Sequence, residues 1–311
     1  MKHHADIIGY GTALCAVFLW SLNVLIAQRF ATALTPVEFA FGRWVCALLI
    51  LAPIGGRGVW QARTYFYHHW KWVVGLALSG IVLDNTLIYL AAQTVQAVDL
   101  SLLNLLGPIF LTVLVAVVLH HPVGPAAWIG MTLAVAGVMI ILTNGAITHI
   151  GRMPLKIGIL WMIINAFCFA VYSFLQYRRP PFISQTALLT MTVGVGVVIL
   201  APWFGVRAVE SRFVPGLTDW AIFVYLGVFN SVLAYLAWNS ALARIGAIKT
   251  GVIYYLQPVF SIIGAACVFG SRLTWAQGTG GVLVLIGVII VNRYQRSVPP
   301  VVPPKTLQTQ P

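Results

Sequence analysis

The sequence predicts an all-α membrane protein whose ten transmembrane helices form two inverted five-helix repeats. Three observations lead to this prediction: the composition, the spacing of the apolar runs and an internal sequence match. Of the 311 residues, 60% are hydrophobic and only 8% are charged, and the mean hydropathy is +0.93. Soluble domains carry about 25% charged residues. This composition therefore excludes soluble enzymes, disordered proteins and disulfide scaffolds.

Apolar runs of spanning length, about 20 residues, follow one another along the chain. They are expected at residues 7–28, 38–54, 72–92, 98–119, 125–144, 156–176, 184–204, 220–240, 246–269 and 275–292. The first run is too long for the core of a signal peptide and lacks a convincing cleavage site, so we interpret it as a spanning helix. The polar, proline-rich segment 297–311 is predicted to be a disordered cytoplasmic tail.

Positive charges in the loops predict the orientation, because Lys and Arg concentrate on the cytoplasmic side. With the N-terminus inside, eleven Lys and Arg residues fall on the inner side and six on the outer side, and Arg43 remains within the second helix. Both termini are therefore predicted to be cytoplasmic. The net charge of +12 includes no dense basic stripe, so nucleic acid is not an expected partner.

The chain matches itself at an offset of 150 residues. Between 76–140 and 226–290, 16 of 65 positions are identical. The matches include Pro108 with Pro258, Phe110 with Phe260, Gly130 with Gly280, Gly137 with Gly287 and Ala97 with Ala247. Because each repeat has an odd number of helices, the second copy, 151–296, enters the membrane from the side opposite to the first, 1–150. An old duplication without moving parts is the alternative.

Four stretches have a distinctive order and spacing: Trp20-Ser21-Leu22-Asn23, Thr35-Pro36-Val37-Glu38 through Arg43, the run 97–110 with its copy 247–260, and Gly270-Ser271-Arg272-Leu273-Thr274. Together they resemble the drug/metabolite transporter superfamily, EamA family. The resemblance covers residues 7–292. It implies export of small metabolites, amino acids prominent among them, from the bacterial cytoplasm across the inner membrane.

The sequence departs from the pattern of the EamA family in three places. His120-His121-Pro122 replaces an acidic turn, and Ser271 stands where Glu is usual. The first helix has no acidic residue between Ile7 and Gln28. The proton-drug exchange mechanism of the related small multidrug-resistance proteins, which uses a Glu in that helix, therefore does not carry over directly.

Matched prolines point to a central binding site. Pro108 and Pro258 lie near the middle of their segments, and proline frees the carbonyl four residues earlier, here that of Asn104 and that of Tyr254. Broken helices at the membrane midplane are typical of transport sites, so we expect the two prolines to act in helix breaking or gating. The alternative is a pair of kinks that only shape the packing.

Polar and aromatic residues at similar depth complete the candidate substrate site. The expected binding residues are Trp20, Asn23, Asp84, Asn85, Tyr89, Asn104, Trp161, Asn165, Tyr235, Trp238, Tyr254 and Tyr255. Amides inside a bundle can instead bond across helices, at about 0.6 kcal/mol each. Asp84 is expected to carry a proton, contact a substrate ammonium or pair with Arg43. We interpret Arg43 as a structural charge.

The sequence predicts an exporter of amino acids, aromatic ones included, that works by alternating access around a midplane cavity. An uncoupled facilitator and a permease for drugs or other metabolites are the alternatives; a lipid- or acyl-transfer enzyme or a scaffold protein fits less well. No phosphate loop, nucleophile elbow or metal-ligand spacing is present, so neither enzyme activity, nor a metal, nor any other cofactor is expected. The expected partners are the substrate, the lipid bilayer and protons, and the protein is expected to be a monomer.

Overall fold

The computed structural model describes residues 2–118, 124–146, 156–211 and 213–294. Every regular element in these ranges is helical. The α-helices are α1 (Lys2–Arg29), α2 (Pro36–Gln61), α3 (Arg63–His68), α4 (Trp70–Ala77), α5 (Asp84–Ala92), α6 (Ala97–Leu103), α7 (Leu106–Val118), α8 (Pro125–Leu142), α9 (Ile157–Tyr177), α10 (Gln185–Ser211), α11 (Leu217–Tyr225), α12 (Ala234–Tyr254), α13 (Gln257–Phe269) and α14 (Trp275–Tyr294). The predicted tail at 297–311 lies outside the described residues.

Seven helical stretches are long and apolar enough to cross a membrane. They are Asp6–Arg29, Pro36–Gln61, Trp70–Ala92, Ala97–Val118, Ile157–Gln176, Gln185–Glu210 and Leu217–Ile245. Three shorter apolar helices, Trp128–Ile141, Gln257–Phe269 and Trp275–Gly287, fall within the fifth, ninth and tenth predicted segments. The chain is thus an all-helical, multi-pass membrane protein over the ranges described.

The predicted loop between the eighth and ninth segments is wrong. α12 continues as helix through residues 241–245, where the sequence analysis places a break. These residues are compatible with a helix, and the single Gly246 that follows them lowers helix stability by only about 1 kcal/mol. The helix ends at Tyr254, and the turn residues Tyr255 and Leu256 lead directly into α13. In the first half, by contrast, the non-helical residues 93–96 separate α5 from α6.

α2 begins with a capping box that fixes the position of Arg43. The hydroxyl of Thr35 accepts a hydrogen bond from the backbone N–H of Glu38 (3.4 Å), and the Glu38 carboxylate accepts one from the backbone N–H of Thr35 (2.7 Å). Pro36 occupies the first turn, where its missing N–H leaves no helical bond unmade. The buried Glu38 carboxylate therefore has a local role, and Arg43 follows about two turns into the helix.

Two π-helical segments interrupt the bundle at equivalent places in the two halves. π1 (Leu78–Leu83) leads directly into α5, and π2 (Leu226–Leu233) leads directly into α12. At the 150-residue offset, π1 corresponds to residues 228–233 within π2. Such short π-helical turns occur often at functional sites, because they turn side chains away from the α-helical register. They place Asp84 and Tyr235 just beyond the two irregular turns.

α8 and α14 pack with their backbones in direct contact through matched glycines. A methyl group added to Gly137 would lie 2.5 Å from the Gly280 carbonyl oxygen, and one added to Gly280 would lie 2.6 Å from the Gly137 carbonyl oxygen. A methyl group on Gly287 would overlap the carbonyl oxygen of Gly130. Along this interface the residue number rises in one helix as it falls in the other. The two helices therefore run antiparallel.

Two buried apolar clusters meet along α1. One contains Val24 and Leu25 of this helix, and the other contains Val17 and Leu19. Between these contacts α1 carries the polar and aromatic side chains of the candidate site. Of the four cysteines, Cys46 and Cys168 are buried, whereas Cys15 and Cys267 are exposed. Lipid tolerates a small apolar thiol as well as a protein core does.

Candidate functional site

A small cavity lies where α1, α2, α5, α9, α12 and α13 come together. It is lined by Trp20, Asn23, Arg43, Asp84, Asn85, Ile88, Asn104, Asn165, Phe169, Tyr235, Tyr254 and Gln257. Eight of the twelve predicted binding residues are in this set. Sequence reasoning assigned Arg43 a structural role and left out Ile88, Phe169 and Gln257 as binding residues. The apolar residues gave no polar signal that distinguishes them from ordinary core residues.

Four predicted binding residues do not line the cavity. Tyr89 and Trp238 lie directly behind lining residues: the Tyr89 hydroxyl contacts Arg43 at 2.9 Å, and the Trp238 ring lies 5.2 Å from that of Trp20. Trp161 and Tyr255 pack against the first apolar cluster instead. These two side chains lie on helix faces that are turned away from the cavity.

The cavity is too small for a metabolite in this conformation. Its volume is about 30 Å³, and a buried water needs about 10–15 Å³ of such space. The site therefore has room for about two water molecules. A metabolite would enter only after the surrounding helices separate.

Asp84 is held at the cavity by two amide donors and lies beside the Tyr235 hydroxyl. Its Oδ1 accepts a hydrogen bond from Asn165 Nδ2 (3.1 Å), and its Oδ2 accepts one from Asn85 Nδ2 (3.2 Å). The Tyr235 hydroxyl donates to the Gly80 carbonyl at 2.8 Å and lies 3.4 Å from Asp84 Oδ2. These groups come from α5, α9, π1 and α12. A carboxylate held in this way joins both halves of the chain.

Arg43 is almost completely buried, with 1% of its surface exposed, and it also bonds to neutral partners. Its Nε donates to Ser231 Oγ (2.9 Å), and its Nη1 donates to the Tyr89 hydroxyl (2.9 Å) and to Asn23 Oδ1 (3.4 Å). The Tyr89 hydroxyl donates in turn to Asn23 Oδ1 (3.0 Å). The Arg43 guanidinium also lies 5.0 Å from the centre of the Trp44 ring.

The ion pair between Arg43 and Asp84, one of the three alternatives for Asp84, is not formed in this conformation. Within the described ranges, the ion pair present is that of Arg207 with Glu210, on the surface. Neutral hydroxyl and amide groups form hydrogen bonds with the Asp84 carboxylate, and a different set of such groups forms hydrogen bonds with the Arg43 guanidinium. The hydrogen bonds of the guanidinium named above run from Nε and Nη1, and Arg43 also lines the cavity, where a ligand or water can contact it.

Aromatic rings form one wall of the cavity, with Trp20 at their centre. Its ring makes edge-on contacts with Phe169 and Tyr235, at 5.6 and 5.5 Å between ring centres, and it also contacts Trp238 and Tyr254. The indole N–H of Trp20 donates to the backbone carbonyl of Asn230 at 3.3 Å. The rings can pack against an apolar or cationic part of a ligand.

The two prolines mark real breaks in the helices. Pro108 follows a turn at Asn104 and Leu105, and Pro258 is the second residue of α13. The expectation that the Asn104 carbonyl is free is wrong, because it accepts a hydrogen bond from Gly107 N–H at 3.0 Å. A tight turn has replaced the bond that the proline removes. The Asn104 side chain still lines the cavity.

Unpaired polar atoms remain around the site. Within the described part of the chain, the buried Oε1 of Gln257, which lines the cavity, has no hydrogen-bond partner. The same is true of Oδ1 in Asn230 and in Asn239. A buried polar group without a partner costs about 1–3 kcal/mol. Water or a ligand at the cavity can relieve this cost for Gln257.

A small cavity lies inside the bundle of apolar helices, and a carboxylate, a guanidinium and aromatic rings line it. Such a site is typical of membrane transport proteins. The model of the EamA-like transporter family matches residues 7–143 and 156–293. The chain therefore belongs to the EamA-like transporter family.

Relatives in bacteria and archaea support this assignment. The chain is 28% identical to the uncharacterized transporter YyaM of Bacillus subtilis over 219 residues, 70% of this chain and 71% of the relative. It is 25% identical to an uncharacterized transporter of Archaeoglobus fulgidus over 285 residues, 90% of this chain and 95% of the relative. A probable terminal-alkyne amino-acid exporter of Streptantibioticus cattleyicolor is 25% identical over 207 residues, 64% of this chain and 65% of the relative.

The fold is also found in a solved structure. A protein crystal structure matches with a TM-score of 0.61 and 18% sequence identity, and the match covers 95% of this chain and 100% of the other. Similarity at this level of identity concerns the fold alone.

Proposed function

We propose that the protein exports amino acids, aromatic ones included, from the bacterial cytoplasm across the inner membrane. It works as a monomer, by alternating access around the central cavity, with both termini in the cytoplasm. The observation that carries the proposal is the position of two opposite charges, Arg43 and Asp84, at one closed cavity with an aromatic wall.

The two charges match the ends of an α-amino acid. The Arg43 guanidinium donates to the substrate carboxylate, and the Asp84 carboxylate accepts from the substrate ammonium. The rings around Trp20 then hold the side chain. Sugar phosphates and nucleotide sugars would need two or more cations, whereas Arg43 is the cation that lines this cavity.

Alternating access requires two halves that exchange conformations, and several features support ten spanning helices arranged as inverted repeats, 1–150 and 151–296. The family model matches the chain twice. π1 and π2 occupy equivalent positions. The glycine contacts make α8 antiparallel to its equivalent helix α14, as expected when the second copy is inverted. The relative named as an amino-acid exporter supports the substrate class and the direction of transport.

Exchange in proteoliposomes tests this function. Vesicles that contain the purified protein are loaded with unlabelled amino acids, and labelled amino acids are then supplied one at a time. We expect saturable exchange of particular amino acids, absent from empty vesicles. Trp20→Phe should raise the half-saturation concentration severalfold, whereas Trp161→Phe should leave it unchanged, since Trp161 lies away from the cavity. No exchange of any amino acid by folded protein would refute the substrate class.

An uncoupled facilitator is the second candidate. Neutral donors surround Asp84, and α1 carries no acidic residue between Ile7 and Gln28. These described helices therefore provide no second carboxylate beside Asp84 that could pass a proton to it. The two candidates differ in their response to a pH gradient. A coupled exporter accumulates substrate when a gradient is imposed, and a facilitator only equilibrates it.

A further inference from the structure

A second cavity lies on the membrane-facing surface, away from the central site. Its volume is about 310 Å³, which is in the range of small-molecule binding sites. The walls come from the end of α2, from α3 and α4, and from the facing side of α10. The apolar side chains of these walls are Val59, Phe66, Val73, Val74, Met191 and Val195.

The mouth of this cavity has the chemistry of a membrane interface. Tyr67 and Trp70 line the mouth and are 79% and 57% exposed, and Trp60 nearby is 67% exposed. Exposed Trp and Tyr residues collect where the hydrocarbon core meets the lipid headgroups. The mouth is therefore expected at headgroup depth, with the apolar walls reaching towards the acyl chains.

One cation lines the cavity, and two more lie close to its lining residues in sequence. Arg63 lines the cavity, donates from Nη1 to the Trp60 carbonyl (2.9 Å) and lies 4.4 Å from the centre of the Trp60 ring. Lys71 lies over the ring of Trp70, and Arg57 is exposed nearby in sequence. Between Glu38 and Asp84 the chain contains no Asp or Glu. The distribution of Lys and Arg among the loops predicts that this end of the bundle lies on the cytoplasmic side.

We propose that this groove binds one anionic phospholipid of the cytoplasmic leaflet. An acyl chain fills the apolar cavity, and the phosphate contacts Arg63, with Arg57 and Lys71 close by. Charge complementarity selects the anionic lipid, because basic pockets between helices on the cytoplasmic side bind such headgroups. The site is independent of the transported substrate.

Native mass spectrometry of the delipidated full-length protein tests the proposal. Phosphatidylglycerol and phosphatidylcholine with the same acyl chains are titrated separately. We expect tighter binding of phosphatidylglycerol to the wild type. Arg63→Gln should weaken it roughly fivefold, the effect of one cation near a membrane surface. Arg244→Gln removes an exposed cation elsewhere and should not change the affinity. Val74→Trp fills the groove and should reduce the binding of phosphatidylglycerol. A melting temperature equal to that of the wild type shows that this variant is folded.

A second measurement needs no variant. A phosphatidylglycerol with a photoactivatable acyl chain, mixed with the wild-type protein, should label peptides that contain residues 59–74 or 191–195. Equal affinity for both lipids together with no effect of Arg63→Gln would overturn the proposal. Labelling only elsewhere, or a dimer that buries this face in place of lipid, would do the same.

Discussion

Because the backbones of α8 and α14 are in direct contact, we predict that one methyl group added between them destabilises the protein. In Gly280→Ala, the new methyl carbon would lie 2.6 Å from the Gly137 carbonyl oxygen and 2.6 Å from Ile141 Cγ1. Ordinary contact begins near 3.4 Å, so the helices must separate by about 0.8 Å. A gap of that size forfeits between a quarter and a half of the dispersion energy of each contact. Overpacking of this kind costs about 1–3 kcal/mol.

Gly278→Ala is the matched control in the same helix. A methyl group there has its nearest neighbour, Leu273 Cδ2, at 3.7 Å, so it fits without displacement. Alanine also favours the helix by about 0.5–1 kcal/mol over glycine. Thermal melting in detergent, followed by size-exclusion chromatography, should therefore show a lower midpoint for Gly280→Ala and an equal or higher one for Gly278→Ala. Equal midpoints for the two variants would refute the close backbone contact.

Three further predictions concern single side chains. Arg43→Met should destabilise the protein by about 3 kcal/mol, because it leaves buried hydrogen-bonding groups unpaired, and Arg244→Met at an exposed position should change the melting temperature little. Asp84→Asn should raise the half-saturation concentration for exchange in proteoliposomes roughly tenfold, because it removes the charged partner of the substrate ammonium, and at saturating substrate it should still exchange but no longer accumulate substrate under a pH gradient; unchanged accumulation would exclude Asp84 as the proton carrier. Thr35→Val should cost about 1 kcal/mol, since it removes a helix cap, and a melting temperature equal to that of the wild type would contradict the capping box.

The sequence predicted the membrane class and the approximate positions of the helices, because apolar runs determine both. Of the twelve side chains predicted to bind substrate, eight line one cavity. Which face each side chain occupies depends on packing, which the sequence does not reveal. Trp161 and Tyr255 pack against the first apolar cluster and point away from the cavity for this reason.

Other features had no signal in the sequence. π1 and π2 have the same composition as the α-helices around them, so periodicity could not reveal them. Phe169 is indistinguishable from a core residue until its neighbours are known. Arg43 and Asp84 each form hydrogen bonds with hydroxyl and amide groups from distant segments, such as Ser231 for Arg43 and Asn165 for Asp84. The spacing of the charges along the chain does not contain that information.

The central claim is that one cavity binds both charged ends of an amino acid. The most direct measurement uses the amino acid that the wild-type protein exchanges best, together with its decarboxylated amine and its deaminated acid. Each analogue lacks one charged group and loses the hydrogen bonds of that group, worth about 1.5–3 kcal/mol. We predict that both analogues inhibit exchange at least roughly tenfold more weakly than the parent amino acid. If either analogue competes as well as the parent, one of the two charges does not contact the substrate, and the account is wrong.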